Sequence, residues 1–201
     1  PEFVALGSVV NGLLNPDFVL IGESDLRSGE MLASLYGNLC ENSPFVARMN
    51  FVNAEVTKLS VNTFVTTKIT FANMLARICE RLPGANVDVV TSALGLDSRI
   101  GRKYLKGAVG YGGPCFPRDN LALAFLGRLL GSAATLAEAT DSANRQEAQR
   151  LAGLVKSKLP RGGVVGILGV AYKPDTDVVA ESQGLLLAQS LLAEGISVSV
   201  Y

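Results

Sequence analysis

The chain has 201 residues, 48% of them apolar, enough to bury a core in one large domain or two small ones. Its 18 Lys and Arg balance its 18 Asp and Glu, which gives no electrostatic footprint for nucleic acid or an anionic membrane, and no apolar stretch is long enough to span a bilayer. Histidine is absent, which excludes Ser-His-Asp and Cys-His catalysis and removes the commonest zinc ligand, so no metal site is expected.

In chain order, Phe18-Val19-Leu20-Ile21 reads as a short buried strand closed by Gly22. Ser28 to Cys40 carries Met31, Leu32, Leu35 and Leu39 at helical spacing, with Ser24 or Ser28 as its cap, and Arg48 to Val52 reads as a second strand. Residues 1–52 are therefore expected to be the closing end of a sheet domain. No signal peptide precedes Pro1, and a chain beginning there is expected to have lost its native start.

From Asn53 to about Leu82 the period is helical. Val56, Leu59, Phe64, Val65, Ile69, Ala72, Leu75, Ile78 and Leu82 mark an apolar face that Val61, Phe71 and Met74 widen. A helix this broadly apolar needs burial on more than one side, which predicts a homodimer through it. Pro83-Gly84 ends it, and Val87 to Leu94 gives a short second helix. Residues 107–117 form a loop with four glycines and two prolines, followed by helices from Pro117 to Leu130 and from Leu136 to Leu159. The latter is polar on one face, at Asp141, Asn144, Arg145, Glu147 and Arg150. After Gly163, a strand at Val164 to Val170, a helix at Ser182 to Glu194 and a strand at Ile196 to Tyr201 make one βαβ unit. Gly163, Gly166 and Gly169 precede and interrupt that strand instead of forming the turn after it, so they are no dinucleotide-binding fingerprint. The fold class expected is mixed α/β, mainly helical: a central all-α domain over 53–160, between the end of one sheet domain and the start of another at 161–201.

Three cysteines cannot all pair, and their spacing fits neither a disulfide framework nor a zinc site, so a reducing, cytoplasmic compartment is expected. Cys115 stands out. It lies at the end of a stiff Gly-rich loop, and Pro117 suits the first turn of a helix, so helix N–H groups and Arg118 both favour a thiolate. A buried, inert loop cysteine is the competing reading, and it is the one given to Cys40 and Cys79 on their apolar helices. Lys58 and Asn62, spaced i, i+4, can meet one ligand and hold an alkoxide or carbonyl oxygen. Alone, they equally suit a snorkelling lysine and an amide bonded to backbone. Asp119 falls in the first turn after Cys115, where a carboxylate also suits the helix dipole, and Glu2 has no context from spacing.

Together, five ordered motifs resemble the UDP-glucose/GDP-mannose dehydrogenase family over nearly the whole chain. They are Pro1-Glu2-Phe3 with Asn15-Pro16 and Val19 to Gly22; Asn53 to Leu59 with Asn62; Asp97-Ser98-Arg99-Ile100-Gly101; Gly112-Gly113-Pro114-Cys115-Phe116-Pro117-Arg118-Asp119; and Gly166 to Gly169 with Tyr172-Lys173-Pro174-Asp175-Thr176-Asp177.

The resemblance implies an enzyme that oxidises the C6 alcohol of a nucleotide sugar to a carboxylate with two NAD. It implies an N-terminal Rossmann-like NAD domain ending by residue 52, a central helical dimerisation domain, and a C-terminal Rossmann-like nucleotide-sugar domain beginning at 161. The chain would start late in the first and stop early in the third, without the NAD glycine loop, and so be inactive alone. Cys115 would capture the aldehyde as a thiohemiacetal, later a thioester. Lys58 and Asn62 would stabilise oxygen charge, Asp119 would position the reacting group or water, and Glu2 would help activate water. Arg99 would reach into the partner subunit's site, Lys106, Tyr111, Gly112, Tyr172 and Lys173 would contact substrate, and Arg118 would face the cofactor.

Two positions depart from the pattern: Leu6 stands where many relatives carry a second Glu, and Ala180 where an Arg often contacts cofactor. The Cys-Phe-Pro form leans towards UDP-glucose, with GDP-mannose or a UDP-N-acetylhexosamine as alternatives. A β-hydroxyacid dehydrogenase relative, or a non-catalytic dimerisation module, are the readings from other classes.

Overall fold

A parallel pair of strands organises the first part of the chain, and its register follows from which faces are apolar. The structure, a computed structural model, describes residues 2, 3 and 5–201; Pro1 of the Pro1-Glu2-Phe3 segment lies outside the described residues. The chain divides into two compact units, Pro1–Val61 with Pro174–Thr176, and Asn62–Lys173 with Asp177–Tyr201.

In the first unit, β1 (Phe18–Glu23) pairs with β2 (Phe45–Asn50) from Phe18↔Phe45 to Glu23↔Asn50, and α2 (Leu26–Leu39) provides the crossover that parallel strands require. Val19 and Ile21 are buried with Cys40, against Ala33, Tyr36 and Val46. The α2 cap is Asp25, not Ser24 or Ser28: its extended backbone lets the carboxylate accept the Ser28 N–H at 2.9 Å. A six-residue helix, α1 (Val9–Leu14), precedes β1; its Asn-Gly pair hides it from a sequence reading, as a turn signal. The strand expected to reach Val52 ends at Asn50, because the Asn50 side-chain carbonyl accepts the Asn53 N–H at 2.9 Å and starts the next helix.

That helix is α3 (Phe51–Cys79), of which residues 62–79 count with the second unit. There it is joined by α4 (Val87–Leu94), α5 (Phe116–Leu129), α6 (Thr135–Lys158) and the unit β3 (Val164–Ile167), α7 (Gln183–Ala193), β4 (Ser197–Val200). β3 and β4 are parallel, Val164↔Ser197 to Ile167↔Val200. β3 stops short of the expected Val170 because Gly169 adopts φ +83° and Leu168 turns out to solvent. α6 packs against α5 and α7, and Ala124, Ala137, Ala148, Ala152 and Ala188 are all buried, small residues that let helices approach closely. The chain is thus mixed α/β and mainly helical, as expected.

The inner face of α3 is not the apolar one that the sequence pattern marks. The residues it buries in the second unit are chiefly polar (Asn62, Thr63, Thr66 and Asn73), while Phe64, Phe71, Met74 and Ile78 are exposed. Asn62, Thr66, Thr70, Asn73 and Arg77 are spaced four, four, three and four apart, one stripe of a helix. At its end, Arg77 meets Glu147 of α6 at 2.7 Å, and Arg150 meets the same carboxylate at 2.8 Å. No described helix is long and apolar enough to cross a membrane.

Candidate active site

The loop before α5 is stitched to the polar stripe of α3. Asn73 accepts the Ala108 N–H at 2.9 Å and donates to the Val109 carbonyl at 3.1 Å. One turn or two back along α3, Thr66 accepts from Asn120 of α5 at 2.8 Å, and the same amide nitrogen donates to the Tyr111 hydroxyl at 3.0 Å. Asn62 then donates to the Asp119 carboxylate at 2.6 Å, with both residues buried. A helix lined with amides and hydroxyls thereby satisfies groups that a loop must otherwise leave to water.

This sewing delivers Cys115 to the N-cap of α5, exposed, with Pro117 in the first turn and the Asp119 N–H donating to the Cys115 carbonyl at 2.9 Å. Gly113 before it adopts φ +84°, and a Cβ there would lie 2.5 Å from the Tyr172 ring, so only glycine fits. The Gly113 N–H donates to the Ala180 carbonyl at 2.9 Å, and Gly112 lies against the Glu181 carbonyl. Arg118 donates from Nε to the second Asp119 oxygen at 3.0 Å, and its guanidinium is otherwise exposed. That bond, and then the charge of Asp119, raise the Arg118 pKa, with Cys115 adding to the same effect. Burial raises the Tyr172 phenol, and a thiolate charge at Cys115 adds to it.

The second unit therefore gathers Cys115, Arg118, Asp119 and Asn62, with Gly112 and Tyr172 beside the loop. Lys173 places its ammonium 5.8 Å from the centre of the Tyr172 ring. Tyr111 is turned inward, its phenol buried and its pKa raised by that burial and then by Asp141. Lys106 is exposed. Arg99 is exposed too, and its own turn holds it: Nε and Nη2 reach Asp97 at 2.9 and 2.6 Å. In the first unit, Lys58 donates to the Glu2 backbone carbonyl at 2.8 Å and lies 4.5 Å over the Phe3 ring, while the Glu2 side chain is exposed. Asn73, Asn120 and Gln183 were not singled out from sequence, and Asn144, read there with Glu147 as part of a polar helix face, is buried with it instead.

No group of three His, Cys, Asp or Glu among the described residues could hold a metal. The described residues also do not fit the pyrophosphate of NAD. The β1–α2 turn is Ser24-Asp25 with no glycine, and the Asp25 carboxylate already takes the helix N–H where a phosphate would bind. After β3, the N-terminus of α7 is capped by the Ser182 hydroxyl, which accepts from Leu185.

Residues 52–146 match the UDP-glucose/GDP-mannose dehydrogenase family, central domain. Over its whole length the chain is 36% identical to the UDP-glucose 6-dehydrogenase AglM of Haloferax volcanii and 34% identical to the UDP-glucose 6-dehydrogenase TuaD of Bacillus subtilis. It spans 47% and 43% of those proteins, about half the length of the curated relatives it matches. It also resembles the solved UDP-glucose dehydrogenase from the hyperthermophilic archaeon Pyrobaculum islandicum, at a TM-score of 0.93 and 36% identity, covering 100% of this chain and 46% of that one. The Cys115 loop and the paired Asn62 and Asp119 thus lie within residues 52–146, the part of the chain that matches the central domain of the UDP-glucose/GDP-mannose dehydrogenase family, and the whole chain is similar to UDP-glucose dehydrogenases.

Proposed function

We propose that the protein acts as a nucleotide-sugar 6-dehydrogenase, with UDP-glucose the favoured substrate, and that this chain supplies its nucleophile and oxygen-binding groups. The observation that carries the reading is the exposed Cys115 at the start of α5, one turn before a buried Asp119 that Asn62 grips from α3. Oxidation of C6 from alcohol to acid removes two hydrides, for which NAD is the acceptor in this reading.

The residues of this chain have the following parts. Once C6 is an aldehyde, Cys115 Sγ bonds to it, the carbonyl π pair moves to oxygen, and that oxygen takes a proton: a thiohemiacetal. Loss of the second hydride to the acceptor, with the hydroxyl proton passing to water, would leave a thioester, and water then cleaves the C–S bond, releasing the acid and restoring the thiol. The Asn62 amide, aimed by its bond to Asp119, keeps its second N–H for the substrate oxygen, and Lys58, one helical turn earlier, adds a cation there. Asp119 holds the reacting group or water, Glu2 helps activate water, and Arg118 would be the residue of this chain that meets the cofactor. Lys106, Gly112, Tyr172 and Lys173 contact the nucleotide sugar, and Tyr111 serves the same loop from within. The outward apolar side of α3 joins two copies, and Arg99 completes the partner's site. The domain bounds in this reading are 1–52, 53–160 and 161–201, and the compartment is the cytoplasm.

The test is a panel of nucleotide sugars assayed for NADH with the whole protein and with Cys115→Ser. UDP-glucose should give the highest kcat/KM, and the variant should lose acid formation, since a hydroxyl without a histidine base is a poor nucleophile. Near-normal acid production by Cys115→Ser would overturn covalent catalysis.

A further inference from the structure

Four residues before Cys115, Tyr111 is held at every polar group it has. Asn144 of α6 accepts its N–H at 2.8 Å and donates to its carbonyl at 2.9 Å. Gln183 of α7 donates to the same carbonyl at 3.0 Å, and Asn120 of α5 donates to the phenol at 3.0 Å. Asn144 and Gln183 are both buried. They come so close that a Cβ on Gly110 would stand 2.4 Å from Asn144 Oδ1 and 2.7 Å from Gln183 Oε1, and the latter oxygen has no partner of its own among the described residues. An amide that matches both backbone groups of one loop residue fixes that residue's position and tilt, which a single bond cannot.

We infer that Asn144 and Gln183 are positioning residues for Cys115: through the backbone of Tyr111 they hold the 110–115 loop so that the sulfur stays beside the Arg118 guanidinium. The inference rests on the reading of Cys115 as nucleophile. The loop is braced by these two amides from α6 and α7, and by Asn120 of α5, whose amide is shared with Thr66 of α3. Without the amides, the buried N–H and carbonyl of Tyr111 lose their partners, and the loop gains freedom to seek water. The sulfur then leaves the electropositive end of α5.

The ratio of iodoacetate to iodoacetamide alkylation at Cys115 reads this directly, because only the anionic reagent responds to positive charge at the sulfur. It is measured on this chain by peptide mapping, for wild type, Asn144→Ala and Gln183→Met, with labelling of Cys79 on α3 and the thermal melt as checks of the fold. In wild type the folded ratio should exceed that in urea by about fivefold, as expected of a local positive field. Asn144→Ala should lose most of that excess, and Gln183→Met about half, with Cys79 labelling unchanged. If Asn144→Ala exposes Cys79, Gln183→Met decides alone. An unchanged ratio in the folded variants overturns the inference. That result leaves the dehydrogenase reading standing, because the ratio needs no turnover, while Cys115→Ser tests that reading by itself.

Discussion

Asn62 and Asp119, 57 residues apart in sequence, share a hydrogen bond of 2.6 Å in a buried setting, and this bond ties α3 to the first turn of α5. The donor is neutral and the acceptor is a carboxylate whose other oxygen takes Arg118, so the pair is satisfied on both sides. Charge-assisted bonds of this kind are stronger than those between neutral groups.

Replacing the amide by a carboxylate inverts that contact. Asn62→Asp should cost about 3 kcal/mol of stability near neutral pH, because two buried carboxylates cannot both ionise. One member's folded pKa is then raised above its unfolded value. Its neutral form is tolerated below the unfolded pKa, and stability is lost as pH rises through the folded one. Urea denaturation of variant and wild type should therefore show a difference that shrinks towards pH 4 and is full by pH 8, within a span of about four units. A pH-independent difference would mean that the contact is not buried.

Among the three thiols, Cys115 should alkylate first. It is exposed, Cys79 is half-buried, and Cys40 is buried in the small core with Val19 and Ile21. A margin of about tenfold over Cys40 is expected from burial alone, since Cys40 must wait for local opening. Competitive labelling with peptide mapping measures it, and prior labelling of Cys40 in the folded chain would contradict the structure.

Tyr111 predicts an alkaline weakness. Burial, and then the charge of Asp141, raise its phenol above the ordinary value of 10.0. The folded pKa is thus higher than the unfolded one, so the associated stability is complete below about pH 10 and falls as pH rises beyond it. Tyr111→Phe should be less stable than wild type at pH 7 for want of the Asn120 bond, yet lose less on going to pH 11. Thermal melts across that range test it, and parallel curves for the two proteins would rule it out.

Glu147 is buried, with Arg77 and Arg150 on its two oxygens. Glu147→Gln keeps the shape and removes the charge, which should cost about 2 kcal/mol, less than for a fully buried pair because both arginines are partly exposed. The midpoint of urea unfolding should fall at unchanged slope; no shift would assign the network no role in stability.

The outward side of α3 bears Phe64, Phe71, Met74 and Ile78, all exposed in one chain. A second copy laid on the same face would bury them in a two-fold, self-complementary interface. Light scattering of this chain should give a dimer, and Phe64→Glu with Phe71→Glu a folded monomer. In the whole protein, mixing Arg99→Ala with Cys115→Ala subunits should restore activity, since one of the two sites then has both residues. A wild-type monomer at micromolar concentration would end the interface proposal, and a dimer whose mixture stays inactive would end the shared site alone.

Element types were legible from local pattern: α4 runs from Val87 to Leu94 as read, and the βαβ unit closes the chain as its strand and helix periods required. The Gly-rich loop and Cys115 at a helix start were also legible, because glycine, proline and chain reversal act within a few residues. Which side of α3 faces inward was not. Hydrophobic period points to the apolar side, yet the inner side is a stripe of amides and hydroxyls, tolerable only where partners arrive from far along the chain. Those partners are backbone and side-chain groups of residues 108–120, between 35 and 57 positions away from the α3 residues they meet. The same holds for Asn144, which meets Tyr111 33 residues off and looks in sequence like any solvated helix residue. A polar side chain is cheap to expose and costly to bury alone. Its burial is therefore decided by the group opposite it, and only the tertiary structure supplies that group.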